Sequence, residues 1–376
     1  MSIDSEQDVF ERFRISEKFG FLLENPDREL PEPYHIWQDV AERIPKLIGS
    51  HELDDEICSM PVLHVDELRT HRQHRLAHVV LSTLSSAYIW NNANEPKLAL
   101  CKSIAVPFYE ISQVLDIPTI PTHASGCLAN WKKINPHEEW SAENLDIVSF
   151  RFREGRGNAW FFVNTAQIEK NLAPAIAAVA DLVVRMEKDE IILKDEYQDC
   201  FRTIREGLLA AGVVIGNFKK HLAPEEFYHG FRQFMAGYTE GPFKDQGGLI
   251  LEGLEHLGPQ PISGASAAQS STIQTFDAFL KIVHIGNSNN FLLKQRNFMP
   301  VPHRKFIEWV EKNSSEDVKD IPGYDEVVAA LRGFRSLHIR LVTSYIFTVK
   351  KEGTANLGTG GTSFMHFLKD VRDDCR

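Results

Sequence analysis

Residues 324–350 read YDEVVAALRGFRSLHIRLVTSYIFTVK, and this stretch decides the fold class. Val327, Leu331, Phe334, Leu341, Tyr345 and Ile346 fall mostly three and four apart, which places them on one face of an α-helix. His338 belongs to the same stripe, four residues after Phe334 and three before Leu341. Arg335 lies one turn before it, on nearly the same side. An imidazole and a guanidinium on an apolar face each need a partner, because unpaired buried polar groups cost free energy. Two arrangements meet that need. A core histidine can bond a backbone carbonyl while the arginine reaches water along its apolar stem; this is the commoner case, since most buried histidines hold no metal. A haem would serve both residues at once, with iron for the imidazole and propionates for the guanidinium.

Outward from this segment, helical periodicity covers most of the chain. An amphipathic pattern fills residues 66–91, and residues 107–115 suggest a shorter helix with Pro107 in its first turn. Asn135, Pro136 and Glu138 have the cap, first-turn proline and acid of a helix start. Residues 141–144 read as a polar turn and 146–152 as a short strand. Residues 159–188 are Ala-rich, with Pro174 expected to start a second helix, and a further helix occupies 190–220. Pro224 opens a helix that reaches Gly237, and others are predicted over 272–285 and 302–313. The predicted class is mainly α. A smaller N-terminal α domain with minor β covers residues 1–154, and a large all-helical domain covers 155–376. The boundary falls near the Gly155-Arg156-Gly157 turn.

Composition excludes several functions. The net charge of -11 argues against nucleic acid as a main partner, since phosphate binding needs clustered Lys and Arg. No run of apolar residues is long enough to span a membrane, and the polar, acidic start lacks a signal pattern. Five scattered cysteines suit reduced thiols in a cytoplasm.

Few motifs stand out. His71, His74 and His78 share a helix face and could bind zinc, but Arg72 and Arg75 repel a cation, so a solvated face is expected. Gly358-Thr359-Gly360-Gly361-Thr362 lacks the lysine of a nucleotide-binding loop; it reads as a mobile lid or a linker. Phe227, Tyr228, Phe231 and Arg232 crowd one helix, either as core or as an aromatic pocket with a cation for a carboxylate. No Cys-x-x-Cys-His occurs, so any haem is non-covalent.

Blocks in one order along most of the chain resemble the indoleamine 2,3-dioxygenase family. They are Leu128-Ala129-Asn130-Trp131-Lys132-Lys133, Trp160-Phe161-Phe162, Phe227 with Arg232, Ala268-Gln269-Ser270-Ser271 with Phe276-Asp277, Met299-Pro300 with Pro302-His303-Arg304, Arg335-Ser336-Leu337-His338, Val342-Thr343 and the glycine-rich segment at 358–362. The resemblance implies that the large helical domain binds haem b, iron protoporphyrin IX. It makes His338 the proximal ligand of the iron, and Arg335 the partner of a propionate, oriented by Asp277. It places Phe161 and Phe227 against a substrate indole, Arg232 on its carboxylate, Thr359 over its amino-acid end, and Ser266 and Ala267 along the pocket. Thr165 matches a serine of the pocket. Its hydroxyl is not basic enough to take the indole proton, so it is assigned a hydrogen-bonding or steric role.

The implied reaction is oxidative opening of the indole C2–C3 bond of L-tryptophan by O2, giving N-formylkynurenine, with an electron donor keeping the iron ferrous. His123 stands where mammalian members have tyrosine, as a wall position of the substrate pocket. Trp160 replaces a glycine and Gly126 a cysteine. These departures bear on selectivity, and they motivate a different indole as substrate. A myoglobin-like oxygen carrier of the same fold is the other alternative.

Overall fold

A computed structural model describes residues 8–349 and 364–375. Its helices are α1 (Val9–Phe13), α2 (His35–Ser50), α3 (Leu53–Ser59), α4 (His71–Trp90), α5 (Lys102–Leu115), α6 (Arg156–Glu187), α7 (Lys194–Asn217), α8 (Pro242–Gln246), α9 (Ser271–Phe279), α10 (Gly286–Gln295), α11 (Val301–Asn313), α12 (Tyr324–Val342) and α13 (Phe364–Asp373). Strand structure is confined to short pairs. β1 (Ala99–Leu100) runs parallel to β4 (Ile250–Leu251), and β2 (Lys132–Lys133) antiparallel to β3 (Leu145–Asp146). The mainly α class holds. No described helix is long and apolar enough to cross a membrane.

Residues 66–91 contain α4, which starts at a reciprocal cap. The Thr70 hydroxyl accepts the Gln73 N–H at 3.1 Å, and the Gln73 side chain accepts the Thr70 N–H at 3.0 Å. The helix is buried along nearly its whole length, including Arg75 and His78, so a solvated histidine face is corrected. Here the core claims a polar helix by bonding its side chains. His78 meets the Pro118 carbonyl at 3.2 Å and the Ser125 hydroxyl at 2.7 Å.

Two prolines were misplaced. Pro174 lies inside one continuous α6, and Pro107 lies in the interior of α5, which begins at Lys102. A mid-helix proline costs about 3 kcal/mol. In α6 the buried residues on both sides of Pro174, from Leu172 to Val183, offset that cost by packing against α7. Asn135 starts no helix. Its side chain accepts the His137 N–H at 3.1 Å and donates to Glu138 at 2.9 Å, closing a local turn between β2 and β3. Beyond β3, side chains rather than a strand partner bond the backbone. Asn130 takes the N–H groups of Val148 and Ser149, and Thr83 takes that of Phe150.

α6 is the spine. It packs on α7, α9 and α11, and α7 packs in turn on α12. One apolar core runs through the molecule without a break at Gly155.

Candidate active site

α12 carries Arg335 on its buried face, and His338 flanks it. The His338 ring is enclosed by protein yet keeps accessible surface, because it opens into an internal cavity of about 340 Å³. Burial lowers its pKa to about 4. At neutral pH the imidazole is therefore uncharged and has a nitrogen lone pair for a metal.

α6 forms another wall. Phe161, Thr165, Ile168, Glu169 and Leu172 recur three and four apart and line the cavity. The Thr165 hydroxyl donates to the Phe161 carbonyl at 2.9 Å, so its proton is held by its own helix. Trp160 points elsewhere, with its indole N–H on the Asn217 carbonyl at 3.0 Å. At the head of α6, a Cβ on Gly157 would meet the Glu226 carboxylate at 2.0 Å. Glycine there lets the segment around Glu226 close on the helix.

That segment is not the regular helix expected from Pro224 to Gly237. A widened π-turn, Glu226–Phe231, runs into a 3-10 turn, Arg232–Met235. Such turns redirect side chains and recur at functional sites. Here Phe227 stacks on Phe161 with ring centres 5.2 Å apart, and Phe231 stands edge-on to Phe227 at 5.3 Å. Arg232 reaches the same cavity with its guanidinium 5.4 Å from the Tyr228 ring centre. Burial pushes its pKa down from the usual arginine value.

A third wall comes from residues 265–277. Ala265 is tied to the Met235 carbonyl at 3.1 Å, and Ser266 and Ala267 line the cavity. Asp277, near the end of α9, accepts two bonds from Arg335 at 2.7 and 2.6 Å. It also meets His284 at 3.2 Å, and the other nitrogen of His284 meets Asp374 at 3.0 Å. Arg335 also contacts the Cys375 sulfur. Burial alone raises the Asp277 pKa; Arg335 and His284 reverse this and hold it below the usual carboxylate value. α13 closes this side with Phe367, Leu368 and Val371.

His123 lines the cavity as expected, but as half of a buried pair with Glu169 at 2.9 Å. Thr359 and its glycine-rich neighbours lie outside the described residues. Phe161, Thr165, Phe227, Arg232, Ser266, Ala267, Asp277, Arg335 and His338 all border this one cavity, while Tyr228, Phe231, Trp160 and the histidines of α4 do not line it. Glu169, His284 and Asp374 escaped the sequence reading. Only Glu169 left a signal, one turn beyond Thr165 on the same helix face.

Shell and cavity together define a mainly α protein with a largely apolar ligand chamber. Residues 9–376 match the pattern of the family described as Indoleamine 2,3-dioxygenase. The chain is 34% identical to Indoleamine 2,3-dioxygenase 2 of Homo sapiens, covering 96% of this chain and 93% of that protein. It is 34% identical to Indoleamine 2,3-dioxygenase 1 of Rattus norvegicus, covering 97% and 94%. It is 29% identical to a myoglobin of Haliotis madaka, covering 96% and 97%. The chain belongs to the indoleamine 2,3-dioxygenase family, and at that level it is a haem-dependent dioxygenase of indoles.

Proposed function

We propose that this protein opens the indole ring of L-tryptophan with O2 to give N-formylkynurenine. Haem b is held non-covalently, and an electron donor keeps its iron reduced. The observation that carries the reading is the placement of His338, an uncharged imidazole open to a cavity whose other walls hold the Phe161–Phe227 stack and Arg232. The donor set fits the group, since a neutral imidazole suits iron and Arg335 beside Asp277 suits a propionate edge. Bound haem supplies the activation of dioxygen, and both oxygen atoms end in the product.

The chain's own residues bind, orient and exclude water. Phe161 and Phe227 pack as one aromatic wall against the indole, Ser266 and Ala267 shape the chamber beside it, and Arg232 holds the substrate carboxylate. Thr359 is assigned to cover the amino-acid end. Residues 1–154 are proposed as the smaller domain and 155–376 as the haem domain. Free cysteines support work in a reducing cytoplasm.

The test is a visible spectrum of the reduced, haem-loaded protein with and without L-tryptophan, followed by product mass. A Soret shift and a product that has gained two oxygen atoms are expected. Reversible oxygen binding with no product from any indole would replace this reading with an oxygen carrier, which the similarity to the Haliotis protein favours. A product from another indole alone would retain the class and change the substrate.

Two substitutions should separate binding from architecture. Arg232→Leu removes a charge-assisted contact of roughly 1.5–3 kcal/mol, so kcat/KM for L-tryptophan should fall about 10- to 150-fold. Thr165→Ala removes a hydroxyl already bonded to its own helix, so kcat should stay within about threefold of the parent. Steady-state kinetics on both decide the point. A large kcat loss in Thr165→Ala would make that hydroxyl catalytic.

A further inference from the structure

His284 lies between two carboxylates from distant parts of the chain. Its Nε2 is 3.2 Å from Asp277 Oδ2 on α9, and its Nδ1 is 3.0 Å from Asp374 Oδ2, just beyond α13. The ring is 5% exposed. A carboxylate only accepts hydrogen bonds, and a neutral imidazole carries a single N–H. A neutral ring would therefore satisfy one carboxylate and aim a lone pair at the other. Both contacts stand together only when both ring nitrogens carry protons, so this geometry makes His284 an imidazolium. Burial works against the charge and so does Arg335, but Asp277 and Asp374 outweigh them and raise the pKa above the usual histidine value.

The surrounding charges balance only with that proton in place. α9 contributes Asp277, α12 contributes Arg335, and the chain after α13 contributes Asp374 and Cys375. Burial pushes the Cys375 thiol pKa up, so the thiol is uncharged at neutral pH. Arg335 and His284 thus match the Asp277 and Asp374 carboxylates. On its other side His284 borders a second cavity of about 280 Å³, whose charges are engaged elsewhere. Arg296 bonds the Glu311 carboxylate at 2.9 Å, Lys281 donates to the Glu311 carbonyl at 2.8 Å, and Glu316 pairs with Lys319 at 2.8 Å. Once His284 loses its proton, Asp277 still has its two bonds from Arg335. Among the described residues, the Asp374 carboxylate has no hydrogen-bond partner besides His284. Asp374 is therefore the group that parts from the ring.

Asp374 secures one wall of the main cavity. Phe367, Leu368 and Val371 of α13 line that cavity, and Phe367 stands edge-on to Phe291 of α10 with ring centres 4.6 Å apart. We propose that His284 is a proton-operated clasp, which holds α13 against α9 while its ring is charged and lets α13 loosen from the cavity when the proton leaves. The clasp is closed below the usual histidine value and is lost as the pH rises through the folded one. The Phe291–Phe367 and Arg335–Cys375 contacts do not depend on that proton. Its loss therefore removes one charge-assisted bond, which raises the fraction of molecules with α13 undocked about 10- to 150-fold.

The test follows amide hydrogen exchange in the full-length protein as purified, from about pH 6 upward through the titration of His284, which is read from its imidazole resonance. Protection factors for α13 are divided by those for α6, which cancels the intrinsic pH dependence of exchange. In the parent protein this ratio should fall about tenfold or more as the imidazole loses its proton. His284→Arg stays charged throughout, and the second cavity beside the ring has room for the longer side chain, so its ratio should stay high at every pH. His284→Gln is neutral throughout, so its ratio should be low already at about pH 6. A parent ratio constant within about twofold across the titration overturns the proposal, whether or not the variants fold. So does an imidazole already neutral at about pH 6, or a His284→Gln protein that keeps the parent's protection there. The measurement involves no turnover and no substrate, so its outcome is separate from that of the proposed reaction.

Discussion

His338→Ala should purify as a folded helical protein that binds haem at least about a hundredfold more weakly than the parent. Loss of a group that merely supports a metal ligand costs about 10- to 100-fold, so loss of the ligand itself sits at or beyond the upper end. The fold should survive because the ring is only partly packed, facing the cavity, and alanine is the best helix former. Haem titration followed at the Soret band, with far-ultraviolet circular dichroism as the folding control, makes the measurement. Turnover should fall with haem content. A variant with retained haem, an unchanged spectrum and an unchanged rate would refute the ligand assignment. The low pKa of His338 sets the sign of the pH effect. The imidazole is free for iron above about pH 4, so protons should compete with iron for it only below that pH rather than from about 6.5 downward.

Asp277→Ala should lower folding stability by about 3–5 kcal/mol, the usual cost of stranding one member of a buried ion pair. Arg335 is 7% exposed and donates both of its carboxylate bonds to Asp277. Without that partner the guanidinium keeps only the Cys375 sulfur among its named contacts. Urea unfolding of the haem-free protein isolates the effect from cofactor binding, and a loss under about 1 kcal/mol would show that Arg335 finds another counter-charge. The pair also has a pH signature. Asp277 has a depressed pKa, so its contribution is present above the usual carboxylate value and is lost as the pH falls through the folded value. His284 has a raised pKa, so its contribution is present below the usual histidine value and is lost as the pH rises through the folded one.

How legible this was in the sequence depends on range. α12 was readable because its apolar positions repeat every three to four residues, and α11 because a proline opens it and a polar segment ends it. Local signals failed where distant contacts outweigh them. Pro174 looks like a start, yet packing between α6 and α7 carries the helix through it. Asn135 and Glu138 look like a cap, yet their side chains satisfy each other in a turn. The π-turn at Phe227 has no marker of its own; it follows from the closure over Gly157.

The site divides in the same way. Its residues are recognisable one by one through the family resemblance, but their partnerships are not. His123 and Glu169 are 46 positions apart, and His284 and Asp374 are 90. Neither pair has a periodicity to betray it.

The tie from Arg335 through Asp277 and His284 to Asp374 joins the cavity to the ten-residue α13. Unlatching one short terminal helix exposes that side of the chamber while the α6–α7 spine stays intact, a local opening that requires less free energy than melting the whole molecule.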